Sequence, residues 1–258
     1  MNRDMRELDL EQLRKIAADE KYPLVFATVS GAHLYGFPSY DSDVDLRGVH
    51  LLPAAEVVGL RHGPETLDRM WNDDGAEIDL VSHDLAKFLT LLLRPNGYVL
   101  EQLLSPLVVV TGDLHAELVA LAPGCVTLHH AHHYRGFSHN QWKLFGSSGE
   151  LKPLLYTFRV LLTGVHMMRA GEVEADLREL LARVPEAPSY LPALMHAKAT
   201  QEHAGLDGVA GRPDDVRLAA DVQRLHAVLD AAQESSTLPD RPSAGDALHD
   251  LLVRARLG

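Results

Sequence analysis

The 258-residue chain has one cysteine, Cys125, so no disulfide can form within it. A single thiol in a protein of this length suits a reducing compartment, and the expected location is the cytoplasm. Long apolar runs are also missing. No stretch approaches the roughly 20 residues that a membrane-spanning helix needs. The first residues, Met1-Asn-Arg-Asp-Met-Arg-Glu7, are polar and acidic, unlike a secretory leader. Positive charge is in deficit, with 24 Lys and Arg against 36 Asp and Glu, a formal net charge of −12. That balance argues against broad, sequence-blind binding along a nucleic acid backbone. It leaves open the gripping of one RNA end, and it suits a nucleotide, a small molecule or a protein. No internal repeat is visible.

What the chain does have is room for two domains and a change of character between its halves. Apolar residues at helical spacing run from Leu8 to Ala18, with Asp9 or Asp4 as the cap. Three short apolar segments read as strands: Leu24–Val29, Val44–Leu52 and Glu77–Ser82. Residues 59–76 are rich in Gly, Pro, Asp and Asn and read as a long loop or a distorted hairpin. A helix capped by Ser82 or Asp84 should run to Arg94, where Pro95-Asn-Gly97 breaks it. A helix over 98–104, a strand over 107–110 and a helix over 113–121 complete this half. From Val126 the pattern is helical throughout: 126–145, 151–170, 173–183, 189–204, 214–232 and 244–256. Residues 233–245 read as a mobile linker. The expected division is an α/β domain over 1–123 and an all-helical domain over 124–258.

Residues 31–45, Gly-Ala-His-Leu-Tyr-Gly-Phe-Pro-Ser-Tyr-Asp-Ser-Asp-Val-Asp, are the most informative stretch. A strand runs into a glycine turn, and a second strand then opens on Asp43-Val44-Asp45. Alternation along a strand puts Asp43 and Asp45 on one face with Val44 in the core. Two carboxylates so close repel each other, and a hard divalent cation is the usual compensation. The free N–H groups of the turn suit a phosphate. Cation and phosphate side by side point to phosphoryl or nucleotidyl transfer.

These residues resemble the DNA polymerase β-like nucleotidyltransferase superfamily, and more closely a bacterial group of predicted nucleotidyltransferases. Gly31-Ala-His-Leu-Tyr-Gly36, Asp41-Ser-Asp-Val-Asp-Leu-Arg-Gly48, Lys87–Gly97 with Glu101, and Lys152–Arg159 carry the likeness, in the same order. The resemblance implies an α+β fold: a small mixed sheet bearing the acidic residues, then a helical domain closing a cleft. It implies Mg²⁺ or Mn²⁺ as cofactor and a nucleoside triphosphate such as ATP as substrate. A nucleoside monophosphate would pass to a hydroxyl of an RNA end, a protein or a small molecule. Two alternatives stand beside it: a non-catalytic nucleotide-binding regulator, and a member of a toxin–antitoxin pair.

By the same resemblance Asp43 and Asp45 are metal ligands. Asp79, flanked by Ile78 and Leu80, is the third carboxylate, with Glu77 competing for that role. Gly31, Ala32, Tyr35 and Gly36 would cradle the phosphates. One departure from the family pattern stands out: the usual Gly-Ser is Gly31-Ala32 here, one phosphate-binding hydroxyl fewer. Arg47 would neutralise triphosphate charge or pair with the acids. Lys152, Tyr156 and Arg159 share one helix face and would reach the nucleotide, with Lys87 and Arg94 of similar character. The run His129-His-Ala-His-His133 reads as a helix carrying histidines, since no Cys or Glu accompanies it.

Overall fold

The computed structural model describes residues 8–73, 76–200, 202–209 and 211–258. The alternative cap Asp4 and the N-terminal segment lie outside them. The fold is α+β. Its contacts divide the chain into two units: residues 8–34, 43–126 and 241–258 form one, and residues 35–42 and 127–240 the other.

The first unit opens with helix α1 (Leu10–Ala18), capped by Asp9, whose side chain accepts from the Gln12 N–H at 2.9 Å. Strand β1 (Leu24–Val29) and a single helical turn, α2 (Gly31–Leu34), follow. Next come β2 (Val44–His50), the short α3 (Ala55–Val58), β3 (Thr66–Asp73) and β4 (Ala76–Asp84). Helices α4 (Leu85–Leu92) and α5 (Gly97–Leu103), strand β5 (Val108–Val110) and helix α6 (Asp113–Leu121) complete the run.

The five strands lie in the order β3-β4-β2-β1-β5, and β2 with β4 is the parallel pair. One face of the sheet presents Ala27, Val29, Val44, Leu46, Ile78, Leu80 and Val109, packed on Leu13 and Ala17 of α1. Because side chains alternate, the residues between these, including Asp45, Arg47 and Asp79, face the other way. On that face Phe26 meets Phe88 of α4 edge-on at 5.4 Å and stacks on His115 of α6 at 4.6 Å. Residues 59–76, read as a loop or distorted hairpin, contain β3, paired antiparallel to β4. Edge position explains the weak pattern: Arg69 and Met70 are exposed, so the apolar alternation is diluted by polar residues.

Helix α12 (Gly245–Leu257) belongs to this sheet unit. Its Arg256 donates to both carboxylate oxygens of Asp84 at 2.6 Å and to the Leu52 carbonyl. Asp84 also caps α4 through the Ala86 N–H.

The second unit holds α7 (His130–Ser148), α8 (Leu151–Ala170), α9 (Leu177–Arg183), α10 (Leu191–Lys198) and α11 (Asp215–Glu234). Helix α8 is apolar and buried nearly all round, which makes it the central helix of its unit. Residues 233–245 are tied down: the Ser236 hydroxyl donates to the Met168 carbonyl and the Leu128 N–H to the Pro239 carbonyl. Among the described residues no helix is long and apolar enough to cross a membrane.

Candidate active site

β1 ends at Val29, and the Ser30 N–H continues the ladder by donating to the Asp45 carbonyl at 2.8 Å. Gly31 then turns the chain with φ of 62°. A Cβ there would lie 1.8 Å from Asp45 Oδ2. Residue 31 therefore must be glycine on two counts: its backbone conformation, and the carboxylate seated against it.

Asp45 of β2 and Asp79 of β4 are direct register partners in the parallel pair. Arg47, two residues along β2, turns its guanidinium into the space they share. Its Nη2 donates to Asp45 Oδ1 at 2.6 Å and to Asp79 Oδ2 at 2.8 Å. Its Nη1 donates to the Asp79 carbonyl at 2.7 Å and its Nε to the Tyr98 hydroxyl at 3.1 Å. Burial alone would lower the Arg47 pKa, but Tyr98, Asp45 and the bond to Asp79 outweigh it and raise the pKa above its ordinary value. The result is two partly exposed carboxylates converging on one cationic centre.

Asp43 lies just before β2, half-buried, one residue ahead of Val44. Val44 is the partner of Ile78, which Glu77 precedes in the same way. Among the described residues no three His, Cys, Asp or Glu side chains are gathered closely enough to hold a metal ion. Ala32 is buried in α2.

The remaining site candidates lie in the helical unit. Tyr35 is buried, with Tyr156 edge-on at 5.2 Å and the Arg159 guanidinium 3.7 Å above its ring. Gly36, at φ of 84°, is backed by the Asp176 carboxylate. Lys152 pairs with Glu202. Within the sheet unit Gly31, Asp45, Arg47 and Asp79 meet; within the helical unit two further groups of contacts form, Tyr35 with Tyr156 and Arg159, and Lys152 with its acid.

The third group contains residues that the sequence reading passed over. Lys198 has no solvent exposure and donates to Ser39 Oγ at 2.9 Å, to Ser42 Oγ at 3.1 Å and to Glu202. Glu202 Oε2 accepts from the Ser39 and Ser42 hydroxyls at 2.8 and 2.6 Å, and its N–H donates to Asp41 Oδ1. Burial would raise the Glu202 pKa, but Lys152, Lys198 and Ser42 hold it far below the usual carboxylate range. Lys198 and Glu202 stand four residues apart, a pairing visible in sequence, but nothing there shows that it closes on 39–42.

The histidine run makes contacts within its own unit. His130 is buried against Thr127, His132 Nδ1 accepts from the Arg135 guanidinium, and His133 packs edge-on to Tyr134. Cys125 is buried, and burial pushes its thiol up to about 11, well away from a nucleophile.

The family model described as "RNA repair pathway DNA polymerase beta family" matches residues 5–254. The chain is 32% identical over 154 residues to the uncharacterized protein MJ0002 of Methanocaldococcus jannaschii, covering 59% of itself and 63% of that protein. It is 24% identical over 216 residues to the uncharacterized protein YcgL of Bacillus subtilis, covering 79% and 80%. A nucleotidyltransferase-like protein from Exiguobacterium sibiricum is structurally similar at a TM-score of 0.34 and 10% identity, over 87% of this chain and 73% of that one. The chain belongs to the RNA repair pathway DNA polymerase beta family, within the polymerase β-like nucleotidyltransferases.

Proposed function

We propose that the protein is a divalent-metal-dependent nucleotidyltransferase, moving a nucleoside monophosphate from a triphosphate to an acceptor hydroxyl. The observation that carries this reading is the Asp45–Arg47–Asp79 bridge beside the Gly31 turn. Arg47 Nη2 shows that one positive centre can touch both carboxylates within 2.8 Å, and all donors there are hard oxygens. Those two acids would fit Mg²⁺ or Mn²⁺, held by Asp45 and Asp79, and Asp43 joins them on the family likeness alone. Such a cation, when bound, supplies Lewis-acid stabilisation of charge developing on the transferred phosphorus.

The chain's own residues do the rest. Arg47, released from the acids, balances phosphate charge with donors already oriented on this face. Asp79 helps to activate the attacking hydroxyl by accepting its proton. Gly31, Ala32 and Gly36 are assigned to the phosphates on the family likeness. Tyr35, Lys152, Tyr156 and Arg159 are assigned to nucleotide binding on the family likeness. The family's description supports an RNA end as acceptor, which the acidic overall charge permits if the grip is local.

The test is transfer from triphosphates labelled at the α-phosphate, with Mg²⁺ or Mn²⁺, into separated cellular RNA and protein. Label in RNA, lost in Asp43→Ala and Asp45→Ala variants that keep their fold, supports the reading. Label in neither fraction with any of the four nucleotides contradicts it.

A further inference from the structure

Ser30 has no solvent exposure, and its hydroxyl finds no hydrogen-bond partner among the described residues. A buried hydroxyl left unpaired is costly and calls for a partner, whether an ordered water, an ion or a ligand. Its neighbours are telling. Thr28 pairs with Arg47 and Val29 with Leu46 along β1 and β2, and the bond from the Ser30 N–H to the Asp45 carbonyl carries that register one step further. Ser30 therefore stands directly opposite Asp45, at a position on the face of Thr28 and Arg47 rather than that of Val29 and Leu46. Asp45 Oδ2 in turn sits against the backbone of Gly31, the next residue. Thr28, on the same face, has its hydroxyl committed to the Gln102 carbonyl at 2.8 Å. Ser30 is the hydroxyl beside the acidic pair with nothing to hold.

We propose that Ser30 is a ligand-binding residue of this site, whose hydroxyl donates to an oxyanion of the bound triphosphate. It thereby supplies a donor that Ala32, lacking a hydroxyl, cannot. The inference rests on the nucleotidyltransferase reading and extends it to a named residue. The donor is held ready in the free protein at a cost to stability, and binding removes that cost.

The experiment is titration of wild type, Ser30→Ala and Ser30→Cys with Mg²⁺ and a nonhydrolysable triphosphate, alongside thermal melts of the ligand-free proteins. Ser30→Ala should bind at least about tenfold more weakly, the loss of one hydrogen bond to a charged oxygen. Its ligand-free melting temperature should be unchanged or raised, because an unpaired hydroxyl has gone. Ser30→Cys keeps the volume with a poor donor and should weaken binding to a similar degree, which covers the case where alanine disturbs packing. Wild-type affinity in both variants overturns the assignment while the function stands. A lowered melting temperature with unchanged affinity also overturns it, marking a purely structural serine. No binding by wild type overturns both this inference and the reading beneath it.

Discussion

Asp45 and Asp79 face each other across two parallel strands, and one nitrogen of Arg47 touches both, at 2.6 and 2.8 Å. Like charges on neighbouring strands are tolerated because a cation sits between them. The arrangement is an acidic pair held closed by its own arginine, and it is the origin of the first prediction.

Arg47→Met should leave two carboxylates facing each other without a counterion. Arg47 is largely buried and the acids are partly exposed, so the cost is on the order of 3 kcal/mol, toward the low end for a broken buried pair. Mn²⁺ should restore much of the lost melting temperature in the variant and do less for wild type. Equal metal responses in the two proteins would show that the pair does not hold the ion.

Gly31→Ala should be worse than a typical turn substitution. The φ of 62° costs about 1 kcal/mol for a residue with a Cβ. The larger effect is the clash, since the new Cβ would fall 1.8 Å from Asp45 Oδ2 and must displace the carboxylate. Transfer activity should fall far more than stability, as kinetics and chemical denaturation together would reveal. Full activity would mean that Asp45 need not sit where the structure has it.

Lys198 and Glu202 form a buried ion pair with the hydroxyls of Ser39 and Ser42. Lys198→Met alone strands a carboxylate and should cost about 3 to 5 kcal/mol. The double variant Lys198→Met/Glu202→Leu replaces the pair by apolar volume and should regain most of that loss. Urea denaturation of the three proteins decides it. Additive losses would contradict the pairing.

Acid should weaken the fold first through buried histidine. His130 is pulled from its ordinary 6.5 to about 4 by burial, so the unfolded chain takes up its proton first. Stability is then whole above pH 6.5 and declines as pH falls from there to about 4, by about 3 kcal/mol for this group. His50, His83, His166 and His226 are lowered too, mainly by burial, and add in the same direction. His130→Asn should flatten the decline between pH 6.5 and 4.5. An unchanged slope would place the effect elsewhere.

The acidic motif was legible because its spacing is local: a strand, a glycine turn and alternating Asp43-Val44-Asp45 need no tertiary information. Asp79 was within reach for the same reason, as an acid between Ile78 and Leu80. Arg47's partner set was open in sequence, since a cation two residues from an acid can serve a ligand or its neighbours. The register of β2 on β4 decides for the neighbours in this state. Strand β3 was legible only as one of two readings, a loop or a distorted hairpin, because an exposed edge strand carries Asp68, Arg69 and Asn72 among its apolar residues. Ser30, one residue ahead of Gly31, reads in sequence as unable to replace the missing hydroxyl without a shifted turn, and Lys198 escaped altogether. A serine at a strand end and a lysine on a helix are ordinary in sequence, and only burial together with their partners, or the lack of them, sets them apart.

The most direct measurement is Mn²⁺ binding by electron paramagnetic resonance, with a nonhydrolysable triphosphate present, for wild type, Asp45→Asn and Asp79→Asn. The account predicts a bound-ion signal in wild type and at least a roughly tenfold weaker affinity in each variant, the scale of losing one charged oxygen ligand at about 1.4 kcal/mol or more. Wild-type Mn²⁺ affinity in both variants would contradict it.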